Sequence, residues 1–213
     1  MINISFKTDD DLMARVIISK NYMPTNFINY LYDKYRKSYL ILKRDITSKD
    51  IDDNIIYELK QQDFFKNFSA EASENLKRIK NNWETDKQKI NDFVDKIFKK
   101  KFVLNLTSFI VSPSLNTGRN IGNNQFIWGH IKGMQDKNYD LIYLVHESLH
   151  SYFKKTDLTH TVIENITDIE LNKYLRNIEY TFDDCHEYIK MLHMKIQPFW
   201  NIYMNKQKKE IKK

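Results

Sequence analysis

The sequence predicts an α+β fold, a mostly helical chain that carries one small mixed sheet, and three observations predict it. Apolar residues recur at helical spacing over most of the first hundred positions, two short runs rich in β-formers follow, and helical spacing then resumes to the end. Gly 4 and Pro 3 are low counts for 213 residues, which favours helices joined by polar loops. The 41% hydrophobic and 14% aromatic content marks a folded chain long enough to bury a sizeable core. The expected organisation is a helical N-terminal lobe over 1–100, a core over 101–205 and a basic tail over 206–213.

In order along the chain, Ile2, Ile4 and Phe6 alternate with polar residues and predict a short strand, and Asp9 to Asp11 offers a helix start. Pro24 breaks that helix. Asn26 opens the next, with Phe27, Tyr30, Leu31 and Tyr35 on one face, and another is expected near Ser48 to Leu59. The longest follows Ser69, where Leu76, Ile79, Trp83, Ile90, Phe93, Val94 and Ile97 form an apolar stripe. Residues Phe102 to Val111 predict a strand ended by Ser112 and Pro113, and a loop with Gly118 and Gly122 leads to a second strand over Asn124 to Ile131. Tyr139 to Phe153 predicts a helix that is apolar nearly all round from Leu141 to Val145, and hence buried. After a loop near Thr156 to Thr161 a further helix is expected, then two more around Phe182 to Leu192 and Pro198 to Lys206.

Charge and cysteine usage narrow the partners. The net charge of +6 admits nucleic acid, but the basic residues are dispersed and only the tail, from Lys206 to Lys213, is dense, which reads as a solvated end. A nucleic-acid partner is therefore not expected. The single cysteine, Cys185, makes no internal disulfide and no cysteine-rich zinc cluster, and reads as a small packed residue. No cationic segment followed by an apolar run opens the chain, and no run approaches a membrane span, so a cytoplasmic protein is expected.

The chemistry concentrates in His146-Glu147-Ser148-Leu149-His150. At about 100° per residue, His146, His150 and Glu147 share one arc of a helix. Two imidazoles one turn apart suit a tetrahedral zinc, and the intervening glutamate is placed to act as general base on an attacking water. With six His and ten Glu in the chain, the pattern arises by chance in about one such sequence in a hundred. Histidines on a buried helix also need partners, and metal is the usual one. One zinc per chain is expected.

The stretch Tyr143 to Tyr152 resembles the zincin metallopeptidases, although Tyr143 is bulkier than the residue common at its position. The metzincin extension is absent, since Phe153 and Thr156 stand where that branch has glycine and histidine. Ile163-Glu164-Asn165-Ile166-Thr167-Asp168 is similar to the gluzincin, thermolysin-like pattern in its compact, minimal form. That resemblance implies Glu164 as the third zinc ligand and Asp168 as support for a histidine ligand. A capping box at Thr161-Val162-Ile163-Glu164 is the rival reading of Glu164. The resemblance also implies a substrate edge strand before the motif helix, at Gln125, Phe126, Ile127 and Trp128, which would pair with an extended peptide. It further implies a transition-state donor from later in the chain, with Tyr174, Tyr180, His186, Tyr188 and His193 as candidates. His160 is a candidate ligand or donor too, and exposure is its commoner fate.

The expected function is hydrolysis of peptide bonds in a peptide or protein substrate, with zinc held by His146, His150 and Glu164 and with Glu147 as base. One alternative is a SprT-like protease acting on nucleic-acid-associated proteins, a group that uses three histidine ligands. Another is a zincin-like domain that binds zinc or a partner without turnover.

Overall fold

The structure, a computed structural model, describes residues 1–35, 51–99, 101, 103–112, 118–129, 137–176 and 190–210, of which 207–210 by backbone alone. It is an α+β fold in which helices cover one small mixed sheet. Strand β1 spans Ile2–Lys7 and buries Ile2 and Ile4, as their alternation requires. Helix α1, Asp10–Ser19, starts at Asp9, whose carboxylate accepts the Leu12 N–H at 2.9 Å. Helices α2, Thr25–Tyr35, and α3, Asp53–Gln61, complete a helical layer.

Helix α4, Asp63–Phe98, begins six residues ahead of the expected start at Ser69 and reaches roughly 54 Å. Its length joins two apolar clusters. Phe65 and Ala72 pack with α1 to α3, whereas Ile79, Trp83, Ile90, Phe93, Val94 and Ile97 pack beneath the sheet. Val111 and Ile127 also belong to the cluster of α1 to α3, and β1 belongs to the sheet. A left-handed Lys99 (φ 53°) ends the helix.

The sheet order is β1-β2-β4-β3, with β2 at Leu104–Val111, β3 at Arg119–Gly122 and β4 at Gln125–Gly129. Strands β1, β2 and β4 run parallel, and β3 is antiparallel to β4. The loop expected near Gly118 and Gly122 is therefore partly strand. The reversal is made by Gly122, Asn123 and Asn124, all at positive φ, where glycine and asparagine are the residues that fit.

This topology corrects the expected substrate edge. Gln125, Phe126, Ile127 and Trp128 lie in β4, which is hydrogen-bonded to β2 on one side and β3 on the other, so β4 is interior. Phe126, Ile127 and Trp128 are fully buried core residues. The outer strands of the sheet are β1 and β3.

Helix α5, Lys137–Tyr152, carries the histidine motif and lies buried, as its apolar surround predicts. Its first turn is pinned by Asp140, fully buried, which accepts the Trp128 indole N–H at 3.0 Å and pairs with Arg78 of α4. Helix α6, Asp157–Glu164, is capped by Thr156, whose hydroxyl accepts the Thr159 N–H at 3.1 Å. The capping box is thus Thr156 with Thr159, not Thr161 with Glu164. A π-helical turn, Asn165–Leu171, continues α6 into the short α7, Asn172–Arg176. The last described helix, α8, spans Lys190–Glu210 without a break at Pro198. No helix among the described residues is long and apolar enough to cross a membrane.

Candidate metal centre

Helix α5 presents His146, Glu147 and His150 to one pocket, because positions one turn apart share a face. Helix α6 crosses that face and brings His160 to it, so Nε2 or Nδ1 atoms of His146, His150 and His160 all lie within 4.8 Å of one another. The ring centroids are 4.9 to 5.4 Å apart. The two motif histidines face each other with Nε2 atoms 3.1 Å apart. Two imidazole nitrogens at that distance need a proton or a cation between them, and ligand nitrogens about 2.0–2.1 Å from a tetrahedral zinc lie about 3.3 Å apart. The three imidazoles therefore form a group that could hold a metal ion.

Each ring is prepared by its surroundings. His146 Nδ1 lies 3.2 Å from Thr167 Oγ1, which in turn donates to Asp168 Oδ1 at 2.9 Å, and Asp168 Oδ1 is 3.6 Å from the same ring nitrogen. Nδ1–H donating to Thr167 leaves the Nε2 lone pair facing His150. Burial disfavours charge on His146, but Asp168, Glu147 and Glu164 outweigh it and raise its pKa. Burial, with His146, His160 and Lys155 nearby, drives His150 down to about 3. It is the neutral imidazole that ligates a metal.

Glu147 is buried, 6% exposed, and burial raises its pKa against the pull of His146, His160 and a backbone hydrogen bond from Asn120 of β3. A carboxylate raised in this way is the stronger proton acceptor near neutral pH. Its position depends on Gly118. A Cβ there would stand 2.6 Å from Glu147 Cγ and 2.7 Å from Oε1, so only glycine leaves room for the side chain. Arg119 and Asn120 of β3, Tyr143 of α5 and Lys155 complete the pocket wall.

Glu164 is fully buried, but its carboxylate oxygens are not among the grouped ligand atoms. Oε1 lies 3.3 Å from His160 Nε2 and Oε2 lies 2.8 Å from His193 Nε2. The structure thus brings His160 into the cluster and sets Glu164 behind it. His160 is 23% exposed at its side chain, part of the pocket wall rather than a solvated loop residue. Its signal in the sequence was the Thr156 cap, which starts α6 early enough to place His160 one turn before Glu164.

Among the candidate donors, His193 is fully buried against Glu164, away from the pocket lining. Tyr174 stacks on Phe93 at 5.2 Å between centroids. Tyr180, His186 and Tyr188, together with Cys185, lie outside the described residues. Tyr143, not among those candidates, stacks on Trp128 and lines the pocket. No protein-family model matches the chain, and no curated protein or solved structure matches it.

Proposed function

We propose that the protein is a zinc-dependent hydrolase of peptide bonds, with His146, His150 and His160 holding the metal and Glu147 as general base. One observation carries the proposal: a buried carboxylate and three clustered imidazoles line one pocket beside an edge strand. This ligand set takes His160 in place of Glu164, because His160 supplies the third clustered nitrogen. Zinc bound there would lower the pKa of a water molecule and polarise a carbonyl. Glu147 would accept the proton of the attacking water and pass it to the leaving amine, as its burial beside His146 permits. β3 would align an extended substrate by main-chain pairing, since no strand among the described residues pairs with its outer side. Tyr143, kept protonated by burial and hydrogen-bonded to Tyr139, lines the same pocket.

The test combines metal analysis with turnover of an unbiased peptide library. The expected result is about one zinc per chain, lost in a His146→Ala and His150→Ala double variant. Glu147→Gln should keep its zinc and lose hydrolysis by about 100-fold or more. Zinc without turnover in the parent protein would leave a binding domain in place of an enzyme. The three-imidazole set also favours a SprT-like protease as the second reading. DNA binding that weakens steeply with salt would support it, and a slope near zero would remove it.

A further inference from the structure

Helix α8 meets α6 at a buried histidine and a buried carboxylate. His193, fully buried, projects from α8 to the carboxylate of Glu164, also fully buried, with Nε2 2.8 Å from Oε2. On its other side, His193 Nδ1 lies 3.1 Å from Asn165 Nδ2. That amide nitrogen also donates to the Thr161 carbonyl at 2.9 Å. A carbonyl only accepts, so the Asn165 side chain must present its NH2 group there, and its second hydrogen points at His193 Nδ1. Nδ1 is therefore an acceptor, and Nε2 carries the hydrogen donated to Glu164. His193 is held as one neutral tautomer with both ring nitrogens engaged.

We propose that His193 is a positioning residue for the metal centre, fixing through Glu164 the imidazole of His160. The remaining oxygen of Glu164, Oε1, lies 3.3 Å from His160 Nε2, one turn back on α6. A carboxylate tied at Oε2 cannot rotate freely, so Oε1 holds its place 3.3 Å from His160 Nε2 and acts on that ring by charge and contact rather than through a hydrogen bond. Burying a carboxylate between helices is unfavourable unless it is paired, and an apolar trio would join α6 to α8 as firmly. The arrangement makes sense as the outer support of a ligand, of the kind that tunes metal affinity. The inference rests on the zinc reading above, and it places α8 within the metal centre.

The experiment measures zinc affinity by competition with a chromophoric chelator, and the visible spectrum of the cobalt(II) protein, in full-length variants. His193→Leu should weaken zinc by roughly 10- to 100-fold and alter the cobalt bands. His193→Gln, whose amide offers an N–H near the position of Nε2, should restore affinity to near the parent value. Trp200→Phe on the same helix removes an indole donor to Glu170, 3.2 Å away, and serves as the control for lost stability. It should lower the melting temperature and leave zinc affinity unchanged. Zinc bound equally by the parent and His193→Leu, with identical cobalt spectra, overturns this inference alone. So does a loss of affinity in Trp200→Phe matching that in His193→Leu at equal loss of melting temperature. A parent protein that binds no zinc overturns the metal centre and this inference with it.

Discussion

The two apolar clusters joined by α4 are built on opposite terms. The cluster around α1, α2 and α3 is closed by Met13, Ile17, Phe27, Ile55 and Leu59, and its polar groups sit at the surface, as in the contacts of Lys34 with Glu58 and Lys60 with Asp11. The cluster under the sheet holds apolar residues of the same kinds, yet Asp140, His146, Glu147, Glu164 and His193 are buried with or beside it. Among the described residues every buried polar or charged side chain lies at position 91 or later. Burying such groups is unfavourable unless each finds a partner, so one half of the molecule is arranged for stability and the other for a task that overrides it.

The sharpest way to break this contrast is to damage the apolar half. Leu59→Ala removes a fully buried side chain and should lower stability by about 2–5 kcal/mol, seen in denaturant unfolding, with zinc affinity unchanged at temperatures where the protein stays folded. Zinc affinity that fell with stability would mean the two halves are not separable. Next in size is the metal itself. Free zinc at 100 times its dissociation constant should stabilise the protein by about 2.7 kcal/mol. In hydrogen exchange, chelation should open α5 and α6 while α1 and α3 keep their protection. Uniform loss of protection would dissolve the comparison.

A smaller effect is expected from Gly118→Ala, whose Cβ meets Glu147 head-on. Displacing the base without touching a ligand should reduce kcat/KM by roughly 10- to 100-fold at unchanged zinc content, and a fully active variant would remove Glu147 from the chemistry. The smallest effect belongs to the surface contact. Burial raises the Glu58 carboxyl, but hydrogen bonds from Lys34 at 2.5 Å and Tyr35 at 2.6 Å outweigh it and leave the pKa lowered. A lowered carboxylate stabilises above its unfolded value, about 4.3, and that contribution is lost as pH falls through the folded value. Glu58→Gln should therefore lower the melting temperature slightly at neutral pH and leave it unchanged in strong acid.

What the sequence made legible follows the same division. Period and caps located β1, α1 and α2, because Ile2 and Ile4 alternate and Asp9 is a strong cap. The motif histidines were legible because their spacing equals one helical turn. Less legible was anything set by pairing between distant segments. Nothing local to Gln125 through Trp128 tells an interior strand from an edge, since the partner that covers β4 is β3, and β3 showed itself only through the Gly122-Asn123-Asn124 turn. The place of Glu164 depended on where α6 begins and on His193, 29 residues further on, and neither is a periodicity.

The π-helical turn at Asn165–Leu171 has a consequence for descent. Its bonding is i→i+5, as in the Asn172 N–H to the Thr167 carbonyl, so the turn holds more chain than a regular one. On its near side stand His160 and Glu164, and within it stand Thr167 and Asp168, which reach His146. Deleting Ile166 would let the helix revert to regular winding, and the tighter winding would carry Thr167 and Asp168 to a different angle relative to His160. The side chains that reach His146 and those that reach His160 would then shift relative to each other. A lineage that uses both is thereby barred from discarding the extra residue singly. Homologues should keep this insertion together with His160 and Asp168 or lack it along with one of them.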